Sequence, residues 1–329
     1  MSAHDDTVFL TGGTGFIGGH VLRALLAAGY RVRALVRGEG DRLPALDGCV
    51  PVHGDLERPG PLARELAGCR YLVHVASLYS FAPRDRARAW TTNVAGCRGL
   101  LEAARVAGVE RAVVTSSSST VGPAVGGRPA TEDDHVAHLD GLSAYHASKV
   151  AEEREALAAR VPVVLVLPTA PVGPGDWKPT PTGRMVLDFL RGRMFASVAG
   201  GLNLVAVEDV ARAHVLALER GRVGERYLVG GENLTFAQIW GLLAGLTGRP
   251  APRMQIPHTL ALSLAWADEA RCRALGSQPA IPLEGARMAR HYMYVGDEKA
   301  RRELAHRPAP VGDALGRAVD WYRAHGYAA

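Results

Sequence analysis

The sequence predicts an α/β protein, a doubly wound parallel sheet with a smaller, interleaved C-terminal lobe that binds substrate. Three observations carry this. Short apolar runs alternate with helical stretches through the first half of the chain. Those runs are apolar on both sides, as strands of a parallel sheet covered on both faces must be. A glycine-rich turn over residues 11–18 joins the first strand to the first helix.

Taken in order, TVFLTG (7–12) is a β-branched and aromatic run closed by glycine. Residues 16–28 place Val21, Leu22, Leu25 and Leu26 at helical spacing, and Gly29 supplies the stop. YRVRALVRG (30–38), CVPVHGD (49–55) and YLVHVAS (71–77) read as the second to fourth strands. A helix over 91–107, a strand over 111–117, a helix over 144–160 and a strand over 161–168 complete the first half. Residues 171–184 hold four prolines and three glycines and predict a loop. Sheet and helix material then returns in LNLVAVEDV (202–210), a helix over 209–220 and RYLVGG (226–231). Further helices are expected over 235–247, 257–274 and 311–324. The domain expectation is a dinucleotide-binding unit over 1–170, rejoined by elements near 202–231. Residues 171–201 and 232–329 then form most of the lobe.

At 329 residues, 47% hydrophobic and 22% charged, the chain has apolar side chains enough for a full core. Its densest apolar stretches, 161–168 and 260–267, fall short of the ~20 residues that span a bilayer. The N-terminus has no basic segment of the secretory kind. No membrane span and a cytoplasmic location are therefore expected. Cys49, Cys69, Cys97 and Cys272 lie far apart, so neither a disulfide framework nor a metal site is expected. The net charge of +5 comes from scattered cations, which fits a solvated surface rather than a nucleic-acid patch. The stretch 257–276 has a thin polar face of mixed sign, which favours a lobe helix over the pocket rather than a membrane-surface helix.

TGGTGFIG (11–18) satisfies G-x-x-G-x-x-G through Gly12, Gly15 and Gly18. Glycine is needed where the turn is tight, where backbone approaches a pyrophosphate, and where helix meets strand closely. The helix N-terminus then offers free N–H groups and partial positive charge to the anion. This is the Rossmann type of dinucleotide site. The second strand ends Leu35-Val36-Arg37-Gly38, with no acid before Glu39. Arg37 is suited to a 2′-phosphate, so NADP(H) is favoured, with NAD(H) as the alternative if Arg37 is merely solvated. Asp55 is suited to the adenine amino group, or alternatively to capping. Ala76 and Ser77 end the fourth strand with small residues beside the ribose. Phe16, Ile17, Leu56 and Pro168 complete the expected cofactor contacts, together with Tyr145 and Lys149.

Tyr145 and Lys149 stand four apart at the start of a helix, on one face. An ammonium beside a phenol favours phenolate and lowers its pKa. Such a pair can pass a proton at a carbinol oxygen while hydride moves to or from nicotinamide. Lys149 is one of three lysines in a chain that otherwise uses arginine. The run TSSSST (115–120) offers a hydroxyl partner without saying which one. Tyr79, Phe81 and Trp90 follow the fourth strand and are candidates for an apolar pocket, or for ordinary packing.

T-G-x-x-G-x-x-G, G-D-L at 54–56, N-V-x-G at 93–96, the serine run, Y-x-x-x-K and E-D-V-A at 208–211 occur in an order that resembles the extended short-chain dehydrogenase/reductase (NAD-dependent epimerase/dehydratase) superfamily. The segments 178–184, 201–205 and 224–235 are similar to hopanoid-associated sugar epimerases and dihydroflavonol-reductase-like proteins. The resemblance implies Ser117, Tyr145 and Lys149 as the catalytic trio, Asn93 as support for the lysine, and a homodimer formed through helices 91–107 and 144–160. Where nucleotide-sugar epimerases carry R-x-x-N, this chain has Leu167 and Ala170. The expected function is therefore an NAD(P)-dependent carbonyl reductase on a small molecule. The alternative is a sugar epimerase or dehydratase using transient oxidation.

Overall fold

The computed structural model describes residues 6–38, 47–80, 83–122, 127–136, 138–139, 142–275, 283–289 and 292–328. Phe81 and Glu39 lie outside them.

The first half alternates as expected: β1 (Thr7–Thr11), α1 (Phe16–Ala27), β2 (Arg31–Val36), β3 (Cys49–His53), α2 (Leu62–Leu66) and β4 (Tyr71–His74). Next come α3 (Arg86–Ala89), a π-helical segment over Trp90–Ala95, α4 (Gly96–Val106), β5 (Arg111–Thr115), α5 (Ala144–Ala158) and β6 (Val163–Pro168). Then follow β7 (Ala170–Val172), α6 (Pro181–Leu190), β8 (Ala196–Ser197), β9 (Gly201–Ala206), α7 (Val207–Arg220) and β10 (Arg226–Val229). The chain closes with β11 (Glu232–Thr235), α8 (Phe236–Thr247), β12 (Met254–Gln255), α9 (His258–Leu275), α10 (Leu283–Met288), β13 (Tyr292–Met293) and α11 (Val311–Ala324). Among the described residues no helix is long and apolar enough to cross a membrane.

Seven strands form one parallel sheet in the order β3-β2-β1-β4-β5-β6-β10. The winding reverses between β1 and β4, so a crevice opens at the carboxyl ends of those two strands. Alternation along each strand divides the core. Val8, Leu10, Val73, Val113 and Val164 meet α1 and α7 on one face. Phe9, Leu72, Ala112, Val114 and Leu165 meet α2, α4 and α5 on the other. Burying each of these Val, Leu and Phe side chains contributes about 1.5–3 kcal/mol.

The stretch read as a loop over 171–184 is more ordered than expected. Ala170–Val172 pairs in parallel with Leu204–Ala206 of β9, and α6 starts at Pro181 behind a Thr180 cap. Three residues between prolines carry no local strand signal, and their partner lies more than thirty positions ahead, at residues 204–206. Of the late elements, β10 joins the large sheet, whereas β9 belongs to a second sheet with β7, β11 and β13. A third core of Leu187, Leu204, Ile239, Trp240, Leu315 and Tyr322 unites that sheet with α6, α8 and α11.

Candidate active site

The glycine turn sits at the switch point. Gly12 leaves β1 at φ +78, and a Cβ there would lie 2.6 Å from the Ala76 nitrogen, so only glycine fits. A Cβ on Gly18 would overlap the Gly12 carbonyl. The Gly15 N–H donates to that carbonyl at 2.9 Å, and Gly15 is the N-cap of α1. No side chain caps α1 and no acid occupies its first turn. Its N–H groups and positive end thus suit a phosphate anion. Phe16 is half-buried, edge-on to His20, and Ile17 packs on the core.

The other expected cofactor residues surround this turn. Arg37 is exposed, one residue beyond β2. Asp55 follows β3 by two residues and accepts the Glu57 N–H at 3.0 Å, closing a local turn; it caps no helix, since α2 starts at Leu62 behind Pro61. Leu56 is buried under Gly96 of α4. The Ala76 N–H donates to Thr11 Oγ1 at 3.2 Å, tying β4 to β1 beside the crevice. Ser77 Oγ is buried without a hydrogen-bond partner, as a hydroxyl awaiting a polar ligand would be. Pro168 ends β6, buried, in register with Val229 of β10. These features fit a dinucleotide.

Two strands along, α5 begins with Ser143, whose Oγ accepts the His146 N–H. Tyr145 follows at once, 9% exposed, and its hydroxyl hydrogen-bonds Ser117 just past β5. Lys149 is buried one turn on, and its Nζ donates to the Thr115 carbonyl at 2.7 Å. The structure therefore gathers Ser117, Tyr145 and Lys149 at the edge of the sheet that also carries the glycine turn. The phenol differs from expectation. Burial pushes Tyr145 above the ordinary phenol range, the Ser117 bond opposes this, and the Glu152 charge adds to it. The ammonium is engaged elsewhere: besides Thr115, it lies 2.5 Å from Glu152 Oε2.

Asn93 is fully buried in the π-helical segment, where the expected helix over 91–107 starts earlier and widens. Its Oδ1 accepts the Leu78 N–H at 2.7 Å, and its Nδ2 donates to Ser148 Oγ at 3.0 Å and to the Leu78 carbonyl at 3.2 Å. Asn93 thus braces the loop after β4 against α5, beside Lys149 and without touching it in these bonds. Tyr79 stands on that loop with its ring 4.4 Å from that of Tyr145, edge to face. Trp90 is exposed and lines a shallow cavity of about 570 Å³ with Arg84, Arg86 and Ala87.

The serine run is sorted by residues the sequence reading missed. Ser116 Oγ and Thr120 Oγ1 both donate to Glu153 Oε2, at 2.5 and 2.8 Å. Arg226 Nε lies 2.6 Å from Glu153 Oε1, with both side chains buried. Ser117 alternates to the other side and meets Tyr145. Glu152 and Glu153 stand three and four residues beyond Lys149, spacing that puts them on its helix face. That spacing was the available signal.

Residues 8–230 match the NAD dependent epimerase/dehydratase family. A putative dihydroflavonol 4-reductase of Synechocystis sp. is 42% identical, over 98% of this chain and 96% of its own. Sterol demethylase protein B of Methylococcus capsulatus is 36% identical, over 97% and 99%. The crystal structure of gox2253 superposes with a TM-score of 0.87 at 38% identity, covering 99% of this chain and 100% of that one. The dTDP-glucose 4,6-dehydratase of Streptomyces venezuelae, solved with NAD bound, gives 0.74 at 27% identity, covering 98% of each chain.

Proposed function

Because the chain belongs to the NAD dependent epimerase/dehydratase family of extended short-chain dehydrogenases/reductases, we propose that it is an NADP(H)-dependent carbonyl reductase for an apolar ketone. The observation that carries this reading is the buried Tyr145 hydroxyl, bonded to Ser117 and one turn from Lys149, on the sheet edge that bears the glycine turn. Gly12, Gly15, Gly18 and the start of α1 hold the pyrophosphate. A bound nicotinamide supplies the hydride. Ser117 orients the carbonyl oxygen, Tyr145 gives it a proton, and Lys149 holds the ribose and steadies charge on the phenol oxygen.

NADP(H) over NAD(H) is supported by a guanidinium at the tip of β2. A reductase over an epimerase is supported by Leu167 and Ala170, which offer a nucleotide diphosphate neither charge nor amide. The Tyr79 ring against Tyr145 and the sterol-related relative support an apolar substrate. A homodimer through the outer faces of α4 and α5, and a cytoplasmic location, belong to the same reading. The test follows nicotinamide absorbance with a panel of apolar ketones. Steady NADPH consumption is expected. An isomerised or dehydrated product with no net change in cofactor would replace this reading with transient oxidation.

A further inference from the structure

Behind Lys149 lies a second polar layer that the proposed proton transfer does not use. Glu152 is 1% exposed, with Oε2 2.5 Å from Lys149 Nζ and Oε1 3.7 Å from His74 Nε2 at the end of β4. His74 Nδ1 is 2.7 Å from Thr11 Oγ1, which already accepts the Ala76 N–H. Thr11 Oγ1 can donate to Nδ1 or accept from it, and Nε2 stands 3.7 Å from Glu152 Oε1, beyond hydrogen-bond reach. Burial and the Lys149 charge hold His74 down at about 3, so the ring is neutral near pH 7. Cys97 of α4 completes the cluster, its Sγ within 4.8 Å of a His74 ring nitrogen and a Glu152 carboxylate oxygen. Burial raises its thiol, which is neutral too.

The charge count around the phenol is then short. Glu153 is taken by Arg226, and Ser117, Tyr79 and His146 face Tyr145. Burial lowers His146, so that neighbour is neutral. What remains among the described residues is one cation, Lys149, in contact with Glu152. Burial pushes the Glu152 carboxyl up to about 7 against the pull of Lys149, so that it is an anion at alkaline pH. An isolated ammonium would draw the phenol toward phenolate. Paired with a carboxylate, its field at the phenol falls to that of a dipole.

We infer that Glu152 is a positioning and charge-balancing residue, which fixes the Lys149 ammonium and keeps the Tyr145 phenol protonated. The site is thereby poised to give a proton to a carbonyl oxygen rather than to take one from an alcohol. This deepens the reading of Tyr145 as proton donor and rests on it. An ammonium has three N–H groups. Thr115 and Glu152 account for two, which leaves one to offer a ribose hydroxyl.

The test is an NMR titration of protein labelled at tyrosine Cζ and saturated with NADP⁺, from neutral to alkaline pH. Loss of a resonance in Tyr145→Phe assigns the signal. In Glu152→Gln the phenolate shift is expected at lower pH than in wild type, by about half a unit or more. In Lys149→Met it is expected at higher pH. Glu152→Met, similar in volume and apolar, serves if the Gln variant is poorly folded. An unchanged Tyr145 titration in a folded Glu152 variant overturns the role of Glu152. Full NADPH-linked turnover by Tyr145→Phe overturns instead the reading of Tyr145, and with it the poise toward reduction.

Discussion

The Glu153 carboxylate closes on the Arg226 guanidinium at 2.6 Å, across the interface between α5 and β10, and holds Ser116 and Thr120 with its other oxygen. Arg226 also donates to the Glu132 carbonyl at 2.7 Å, so it spans three segments. A buried ion pair is costly to break, because the surviving charge stays desolvated. Glu153→Ala should therefore lose about 3–5 kcal/mol of stability, read from urea unfolding. An unchanged midpoint would show that the pair does not hold the serine run in place.

Tyr145→Phe removes one oxygen from a fully packed position. Reductase turnover should fall by about 10²–10⁴, the usual worth of a positioned proton donor. Affinity for NADPH, measured by fluorescence, should stay close to wild type. A parallel loss of cofactor binding would mean that the hydroxyl holds the cofactor rather than the reacting oxygen.

Arg37→Ala should weaken NADPH binding by about 10–100-fold, the worth of charge-assisted hydrogen bonds to a phosphate. NADH binding should barely change. Equal losses for both cofactors would remove the 2′-phosphate from the account.

Gly18→Ala puts a methyl group into the Gly12 carbonyl. The turn must open to admit it, so affinity for either dinucleotide should drop about tenfold or more. Isothermal titration of the folded variant reads this directly, and tight binding would argue against the close approach of helix and turn.

Two buried imidazoles set an acid limit. His214 accepts from Thr115 Oγ1 and donates to the Val210 carbonyl, and burial holds it down at about 4. His74 is held at about 3. Both folded values lie below the unfolded value near 6.5. The unfolded chain thus binds more protons between these limits. The stability from keeping the two rings neutral is present above about pH 6.5 and is lost as pH falls toward 4 and 3. The slope is about 1.4 kcal/mol per pH unit for each ring. Urea unfolding at a series of mildly acid pH values should show it, with a shallower slope in His214→Gln.

Much of this was legible in the residues. The glycine turn is local, and its steric demands show in the spacing of Gly12, Gly15 and Gly18. Tyr145 and Lys149 are linked by helical periodicity. Three things were not legible. The lowered acidity of Tyr145 depends on burial and on Glu152, and neither is visible from the Tyr–Lys spacing alone. Glu152 and Glu153 look like solvated helix acids until α5 is packed on the sheet face against α4 and β6, where one meets Lys149 and the other Arg226, far along the chain. The strand at Ala170–Val172 exists only through its pairing with β9. In each case the missing information is a tertiary partner.

The most direct measurement follows the label from NADPH deuterated at the transferable nicotinamide position into an apolar ketone, by mass spectrometry of the product. The account predicts one deuterium on the carbinol carbon, formed by wild type and all but abolished in Tyr145→Phe. An unlabelled product, isomerised or dehydrated while the NADPH stays intact, would contradict it.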